Sequence, residues 1–451
     1  MPTPAPLLRR NTANPRYFAD PTGRAVFLTG SHTWNNLLDK GPGNPPPPFD
    51  WDFYLDFLEK HNHNCIRLWS GQMLTPCDNP GGGVSQLPWR RTGPGEAIDG
   101  GPRFDLTAFD PAYFDRLRHR VGTAGERGIY VDVMLFEGWC ATVGHAPMEC
   151  HAFAGDNNIN GVDILGSPRE KVYARWVTLD DAEVVRLQEL YVREVVRAVN
   201  AFDNVLYEIA NEPSGLSHGW QEHFVDFIRA CEAELGKVHP IGVPGGMKTH
   251  NRRMFASGAD WVSPDIQAVD DDRREDYRKG TVTWGEPDYD RGDKVVVLDT
   301  DHLWGLGGST AWAWKSFCRG YNVFYMDPAR DFPGAFFKGT AQWSNEPNLD
   351  LRREMGVIRS YAERVDLNRT LPRNDLCSTG YCLAQPGRAC IAFQPEAGPF
   401  TVTVEPGRYA MEWHFVDTGD TAAAAPADLP GGTAAFEAPS AEAAALMLLR
   451  L

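Results

Sequence analysis

The 451-residue sequence lacks long apolar segments and any excess of positive charge. A transmembrane helix needs about 18 or more consecutive apolar residues, and the sequence contains no such stretch. Lys and Arg number 44 against 60 Asp and Glu, which gives a formal net charge of −16 at pH 7. A strongly negative surface repels phosphate backbones and anionic lipid head groups. We therefore expect no nucleic-acid partner and no membrane partner.

Closely spaced cysteine pairs and a secretion signal are also lacking. The nine cysteines are an odd number spread thinly along the chain, and no two stand at C-x-x-C spacing. The N-terminal residues contain no apolar run of the kind that forms a secretory signal. Reduced thiols and a cytoplasmic location are the simplest interpretation.

Tryptophan is abundant, with 14 residues in a chain of otherwise ordinary globular composition. Indole rings stack on the apolar C–H faces of sugars, and the negative charge of the chain favours a neutral ligand. Carbohydrate is therefore a candidate partner. The alternative is that the tryptophans fill a large core, since aromatic residues dominate core burial in general.

Short apolar runs alternate with longer helical patterns over most of the chain. Near-continuous apolar strands separated by helices indicate a parallel sheet that is covered on both faces. Eight such runs predict a (β/α)8 TIM barrel over residues 1–370, with long loops after strands two, three and six, at the end where barrels build active sites. The predicted strands are residues 25–29, 64–69, 129–135, 204–210, 240–243, 260–263, 295–298 and 322–326.

The pattern changes near residue 371. Short alternating runs punctuated by Gly and Pro predict a small C-terminal antiparallel β-sandwich over residues 371–451. The Ala/Pro/Gly-rich stretch 421–433 is predicted to be a loop. This module either binds polysaccharide or packs on the barrel, and Trp413 and Phe415 suit either role.

The sharpest motif is Asn211-Glu212-Pro213, which follows the apolar strand 204–210. A partly desolvated carboxyl at the end of a barrel strand keeps its proton near neutral pH, so Glu212 is the candidate general acid. Asn211 is placed to bind a substrate hydroxyl. The alternative for Glu212 is a carboxylate in the first turn of a helix. For Glu208 we favour a buried ion pair.

This motif resembles the acid/base segment of the clan A retaining glycoside hydrolases, which are TIM barrels. The segment around Arg67 resembles the N-x-I-R segment of that clan, and the resemblance implies that Arg67 supports the nucleophile; a structural ion pair is the alternative. Residues 28–34 resemble the first strand of apiosidase-like barrels. Members of that family also carry a C-terminal collagen-binding-type β-sandwich, similar to residues 371–451.

The resemblance implies a second catalytic carboxylate on strand seven. The clan usually has Glu there, whereas this chain has Asp299 and Asp301. Period-two alternation would place both on one face. We predict Asp301 as the nucleophile, with Asp299 as second choice. The alternatives are that both only cap the next helix, or that the shorter side chain widens the carboxyl pair enough for inversion instead of retention.

Other side chains near strand ends suit sugar recognition, because indoles stack on sugar rings and carboxylates hold vicinal hydroxyls. Each has packing within a loop as its alternative. The histidines 61 and 63 and the acidic run 270–272 are interpreted as surface features, and we predict no metal and no cofactor. The predicted substrate-binding residues are His32, Trp34, Asn35, Arg67, Trp69, Glu137, Trp139, Asn211, His250, Asp265, Gln267, Trp304 and Asp327.

Together these features predict a glycoside hydrolase that uses two carboxylates, with retention and exo cleavage favoured. The long loops favour exo cleavage because they suggest a closed pocket. Two alternatives stay open. One is a non-catalytic carbohydrate-binding barrel, suggested by Asp in place of Glu on strand seven. The other is a different enzyme on the same barrel, such as a lyase or a metal-dependent hydrolase. The sequence indicates no oligomeric state.

Overall fold

Most of the chain is described by a computed structural model. Among the described residues, no helix is long and apolar enough to cross a membrane. The structure describes residues 3–76, 82–142, 146–166, 169, 172–275, 289, 292–303, 306–334 and 346–451.

Eight parallel strands form the centre of the larger part of the molecule. They lie in the order one, eight, seven, six, five, four, three, two, as a nearly closed (β/α)8 barrel. Strands two to eight confirm the predicted runs to within two residues at each end. The strands, from one to eight, are Thr29–His32, Cys65–Leu68, Tyr130–Glu137, Val205–Asn211, Ile241–Pro244, Trp261–Ser263, Val295–Asp299 and Asn322–Met326.

Strands one and two are the two ends of this sheet. Asn64, which precedes strand two, joins them through its backbone and its side chain. The amide of Asn64 donates to the Thr29 carbonyl and Asn64 Oδ1 accepts from the Thr29 amide, both at 2.9 Å. Asn64 Nδ2 donates to the Phe27 carbonyl at 2.8 Å. A Cβ atom at Gly30 would lie 1.8 Å from the Cys65 carbonyl oxygen, so only glycine allows this approach.

Amphipathic helices cover the outside of the barrel. Asp50, Asp110, Asp181 and Asn348 each accept a backbone N–H at the start of a helix, which satisfies donors that have no partner within the helix. The main helices are Trp51–Lys60, Pro111–Glu126, Ala182–Val199, His218–Leu235, Asn251–Ala256, Thr310–Cys318 and Leu349–Glu363.

Two predictions near the barrel differ from the structure. Residues 25–26 pair with Phe18–Ala19 in a small antiparallel sheet, and the first barrel strand begins only at Thr29. The predicted loop from 70 to about 105 contains most of a hairpin, in which Trp89–Glu96 pairs with Pro102–Phe109. The sequence did not predict this hairpin, because its register is irregular and its glycines interrupt the alternation of apolar and polar residues that is typical of strands.

The C-terminal part forms an antiparallel sheet of six strands beside a two-stranded ribbon. The predicted loop at 421–433 is wrong, because Thr421–Leu429 is an edge strand of the larger sheet. Pro426 lies where its register shifts, as expected for proline at a sheet edge. In sheet order the larger sheet comprises Leu371–Pro372, Cys382–Gln385, Ala389–Gln394, Ala444–Arg450, Gly407–Phe415 and Thr421–Leu429; the ribbon comprises Pro399–Val404 and Gly432–Glu437.

The six-stranded sheet packs on the last two barrel helices. Glu354 is buried and accepts from Trp314 Nε1 at 2.8 Å, and it lies 2.7 Å from His414 Nε2. Trp314 also stacks on Phe393, with ring centroids 6.0 Å apart. Trp413, a predicted binding candidate, is instead buried in the core of the C-terminal part. These contacts favour the packing role.

The cysteines differ from the expectation in one place. Cys140 is disulfide-bonded, so the prediction that every thiol is reduced is wrong at this position. The other described cysteines are free, and most of them are buried. Disulfides persist mainly in oxidising compartments, and the cytoplasmic location stays a prediction.

Deleting residues 371–451 tests the packing role. We expect the remaining barrel to be insoluble, because the deletion uncovers Trp314, Phe317 and Tyr361, which are buried in the whole chain. The measurement is the soluble fraction after expression, with the whole chain as control. A soluble, folded barrel with weaker binding to a polysaccharide would instead assign recognition to this part.

Candidate active site

Arg67 lies at the centre of a buried ionic cluster at the carboxyl ends of the barrel strands. Its Nε donates to Glu208 Oε2 at 2.5 Å and its Nη2 to Glu208 Oε1 at 2.8 Å. Its Nη1 donates to Asp301 Oδ2 at 2.6 Å. Nη2 also donates to Asn211 Oδ1 at 3.0 Å and lies 3.2 Å from His302 Nε2. One guanidinium therefore ties strand two to strand four and to the end of strand seven.

The contacts of Arg67 bear on the structural and functional roles expected for Glu208 and for Arg67 itself. The ion pair expected for Glu208 is present, and both of its oxygens bind Arg67. Arg67 has the structural ion pair and also holds Asp301, so its two expected roles coexist.

Glu212 follows the end of strand four and has a left-handed backbone conformation, with φ of 35°. Gly246 allows this turn to pack closely, since a Cβ there would lie 2.5 Å from the Glu212 carbonyl carbon. The next helix begins only at His218, with Ser217 as its N-cap. The alternative that Glu212 occupies the first turn of a helix is therefore wrong.

The Glu212 carboxyl makes no hydrogen bond to any described residue and is 9% exposed. Burial raises its pKa well above the usual range, and the negative charges of Asp301, Asp265 and Glu137 raise it further. This direction favours the protonated form, which is the form that a general acid requires.

Asp299 and Asp301 are positioned in different ways. Strand seven ends at Asp299, and residues 300–303 form a helical turn, so the period-two argument for a shared face does not apply to Asp301. Asp299 Oδ1 accepts from the Asp301 amide at 2.9 Å, which caps this turn. The alternative that both aspartates only cap the next helix therefore applies to Asp299 alone. The Asp301 carboxylate instead binds Arg67.

The two aspartates also differ in charge. Burial raises the pKa of Asp299, but contacts with His32 and Arg67 outweigh burial and hold the pKa below its usual value. For Asp301, burial outweighs the effect of Arg67, the charge of Asp299 adds to it, and the pKa rises to about 6. The ion pairs with Arg67 and His32 therefore favour the charged forms of the two aspartates, whereas burial favours the protonated form of Glu212.

A second polar group forms at the end of strand three. Glu137 Oε1 accepts from Asn211 Nδ2 at 3.0 Å and from the Trp139 amide at 2.9 Å. Burial raises the pKa of Glu137 to about 7, and the hydrogen bond from Asn211 opposes this rise. Glu137 is close enough to Glu212 to raise its pKa, so the predicted residues of strands three and four lie in one site.

An aromatic wall lies beside the cluster. The Trp69 ring lies 4.6 Å from the Arg67 guanidinium, and Trp34 meets Trp69 edge to face at 5.9 Å. His32 stacks on Trp69 at 5.8 Å. Met134, Leu306 and Met326 complete an apolar patch around the two indoles.

The remaining candidates lie in several environments. Asp265 is buried and its Oδ2 has no hydrogen-bond partner, while its Oδ1 accepts from the Gln267 amide at 2.5 Å. Asp265 raises the pKa of Glu212, which places it in the site. His250 is exposed, and Trp304 lies outside the described residues.

Two candidates are engaged by structural partners. Both oxygens of Asp327 bind Arg352, at 2.6 and 2.7 Å, in an ion pair outside the Arg67 cluster. Asn35 Nδ2 donates to the Lys40 carbonyl at 2.7 Å, which fixes a loop. We assign structural roles to both residues.

The predictions about surface features need two corrections. His63 is buried, with its Nδ1 accepting from the Ser31 amide and its Nε2 2.9 Å from the Arg352 carbonyl oxygen. Asp270 binds the backbone amides at the start of the helix Asn251–Ala256. Among the described residues, no group of three or more His, Cys, Asp or Glu is arranged to hold a metal ion.

Sequence reasoning missed Asp132 and His302. Asp132 lies in strand three, opposite Arg67 in the neighbouring strand, and neither of its oxygens has a hydrogen-bond partner in the part of the chain that the structure describes. Burial and the nearby Glu208 raise its pKa well above the usual range. An aspartate inside an apolar strand is itself the signal that would have revealed it. His302 adjoins Asp301 in sequence and lies 2.6 Å from Ser263 Oγ through its Nδ1.

Replacing Arg67 tests whether this guanidinium holds the cluster together. Arg67→Met leaves Glu208 and Asp301 buried without their cation, and we expect the free energy of unfolding to fall by roughly 3–5 kcal/mol. The matched control is Arg364→Met, which removes a partly exposed pair with Glu412 and costs about 0–1 kcal/mol. Urea unfolding at pH 7 measures both. Equal losses in the two variants would contradict the central role of Arg67.

The fold is similar to solved glycoside hydrolases. One structure, named only as a glycoside hydrolase, has a TM-score of 0.62 at 13% identity, covering 99% of this chain and 97% of that chain. A glycoside hydrolase family 5 protein from Bacteroides vulgatus has a TM-score of 0.60 at 13% identity, covering 100% of this chain and 95% of that chain. No protein-family model and no curated protein matches the sequence. This similarity extends over the barrel and the C-terminal sheet, and it establishes the fold.

Proposed function

We propose that the protein is a glycoside hydrolase in which Glu212 is the acid/base and Asp301 is the nucleophile. The observation that carries the proposal is that one buried site holds Asp301, whose carboxylate is bound by Arg67, and Glu212, which has no described hydrogen-bond partner and a raised pKa. Two carboxyls kept in opposite protonation states are what glycosidic bond cleavage requires. The barrel fold of the structural neighbours and the Asn-Glu-Pro motif support the same assignment.

The first half-reaction cleaves the substrate. Glu212 gives its proton to the glycosidic oxygen, and an oxygen of Asp301 attacks the anomeric carbon as the C–O bond breaks. Arg67 holds Asp301 through Oδ2, and no described residue hydrogen-bonds to Asp301 Oδ1, which is the oxygen we assign to the attack. The leaving group departs as a neutral alcohol, and the sugar stays on Asp301 as an ester.

The second half-reaction releases the sugar. Glu212, now ionised, takes a proton from water as the water oxygen attacks the anomeric carbon, and Asp301 leaves as a carboxylate. Each step inverts the anomeric carbon, so the proposed outcome is net retention. Asp299 is the weaker candidate for nucleophile because it is 2% exposed, against 9% for Asp301, and both of its oxygens lie 3.0 Å from His32 Nε2.

The substrate class follows from the shape and chemistry of the site. Glu212 and Asp301 are each only 9% exposed, which supports a closed pocket and exo cleavage of short oligosaccharides or glycosides. Trp34, which is partly exposed beside the buried Trp69, is the proposed platform for a sugar ring, and Glu137, Asn211 and Asp265 are proposed to bind its hydroxyls. The resemblance of residues 28–34 to apiosidase-like barrels adds furanosides to the candidate substrates.

Replacing Glu212 tests the acid. Glu212→Gln cannot donate the proton, so turnover of a glycoside with a poor leaving group should fall by about 10²–10⁴. With an aryl glycoside that has a good leaving group, the rate of forming the sugar ester on Asp301 should fall much less. The control is Glu222→Gln, the same change at an exposed position. Full activity of Glu212→Gln on the poor leaving group would rule out the assignment.

The substrate for this test comes from a screen of aryl pyranosides and furanosides. Proton NMR of the first-formed sugar then reports the stereochemical outcome. Retention is expected, and inversion would show that Asp301 activates water instead of attacking the sugar.

The pH dependence of kcat/KM tests the nucleophile. Asp301 acts as a carboxylate, so kcat/KM should fall about tenfold per pH unit below the pKa of about 6. At high pH it should fall again as Glu212 loses its proton. Asp301→Asn should abolish turnover, whereas Asp226→Asn at an exposed position should retain it. A profile that stays flat down to pH 4 would be inconsistent with this role.

A further inference from the structure

We propose that Trp69, His32 and Asp299 form a hydrogen-bonded network that positions Asp301, and that Asp299 is a positioning residue and not a second nucleophile. The inference rests on the proposed function, because it assigns the role of this network in the same reaction. It also connects the aromatic wall of the pocket with the carboxylate that attacks the sugar.

The network is a continuous series of short contacts. Trp69 Nε1 donates to His32 Nδ1 at 2.8 Å, and His32 Nε2 lies 3.0 Å from both oxygens of Asp299. Asp299 Oδ1 in turn accepts from the backbone amide of Asp301 at 2.9 Å. Three barrel strands and the turn at the end of strand seven are joined in this way.

The indole fixes the tautomer of His32. An indole nitrogen is a donor only, so His32 Nδ1 must be unprotonated to accept from Trp69. The single proton of a neutral imidazole is then on Nε2, where it is donated to Asp299. His32 is fully buried and Trp69 is 3% exposed, so water does not replace these bonds.

Asp299 fixes the backbone from which Asp301 projects. Its side chain caps the turn 300–303, and the Thr300 hydroxyl accepts from the Met326 amide at 2.9 Å. The turn is therefore held on one side by Asp299 and on the other by strand eight. With Arg67 bound to Oδ2, both the backbone and the carboxylate of Asp301 are held in place.

Trp69 contacts both groups that hold Asp301. Its N–H binds His32, which binds Asp299, and its ring lies against Arg67. The Trp69 ring is buried against Arg67 and His32, so it acts on Asp301 through these contacts and not by stacking on the sugar. Loss of the Trp69 N–H should therefore impair attack more than it impairs binding of the sugar.

Trp69→Phe is the first test, since it keeps an aromatic ring and removes the N–H donor together with part of the indole. We expect kcat to fall about 10- to 100-fold, the size of effect that a misplaced reacting group produces, while KM changes less than about threefold. The matched control is Trp89→Phe, which loses the same part of a buried indole, whereas the Trp89 N–H has no hydrogen-bond partner among the described residues. The control should keep its kcat.

Asp299→Asn gives a readout that a merely structural role would not move. The charged or titratable groups around Asp301 are Arg67, which lowers its pKa, Asp299, which raises it, and His32, which is neutral in this network; Glu212 and Asp265 lie across the pocket and their pKa values are raised by Asp301. Removing the Asp299 charge should shift the acidic limb of kcat/KM to lower pH and lower kcat. An unshifted limb with unchanged kcat would overturn the positioning role.

The tautomer of His32 gives a test that needs no substrate. A long-range proton–nitrogen NMR spectrum of protein with ¹⁵N-labelled histidine should show His32 protonated at Nε2 only, and His32→Gln identifies its signal. Trp69→Phe should change this signal, whereas Trp89→Phe should not. Protonation of His32 at Nδ1 in the unaltered protein would overturn the network.

The outcomes separate the two proposals. If Asp301→Asn abolishes turnover while Trp69→Phe and Asp299→Asn keep the kcat and the pH profile of the unaltered enzyme, the network is wrong and the proposed function stands. If Asp301→Asn remains fully active, the proposed function is wrong, whatever the NMR spectrum shows for His32.

Discussion

The site depends on one buried positive charge. Arg67 lies among carboxyls contributed by strands three, four and seven, and its donors bind Glu208, Asn211 and Asp301. A buried carboxylate without a cation or donors is costly. One guanidinium cannot neutralise every neighbouring acid, so the pKa values of the groups that it does not bind rise. Glu212, Asp132 and Asp265 all have raised pKa values because burial penalises their charged forms.

This shortage of positive charge gives the two proposed catalytic carboxyls different environments. Glu212, the proposed acid, has no hydrogen bond to a described residue, and Asp301, the proposed nucleophile, is bound by the guanidinium. The first environment favours a protonated carboxyl and the second a carboxylate. The same physics explains why Asp299, with His32 and Arg67 as neighbours, has a lowered pKa although it is buried.

The sequence was sufficient to predict the barrel, because buried parallel strands are short, apolar and separated by helices. The same reasoning predicted Arg67, Glu212 and Asp301 as site candidates, since each lies in or just beyond a recognisable strand. Their catalytic roles stay predictions. Pairing between residues distant in sequence was not predictable. Nothing local in the sequence shows that His32 contacts Asp299, and the strand at 421–429 is a polar, alanine-rich edge without the usual apolar alternation.

The boundary between strands one and two has a consequence for motion. Elsewhere around the barrel, neighbouring strands are joined by ladder hydrogen bonds, whereas the described bonds at this boundary depend mainly on side chains, those of Asn64, His63 and Trp69. Local opening in proteins starts where few buried bonds must break. We therefore expect the barrel to open transiently at this boundary, next to His32 and Arg67. Solvent would reach these two residues, which hold the proposed nucleophile Asp301, through the same opening.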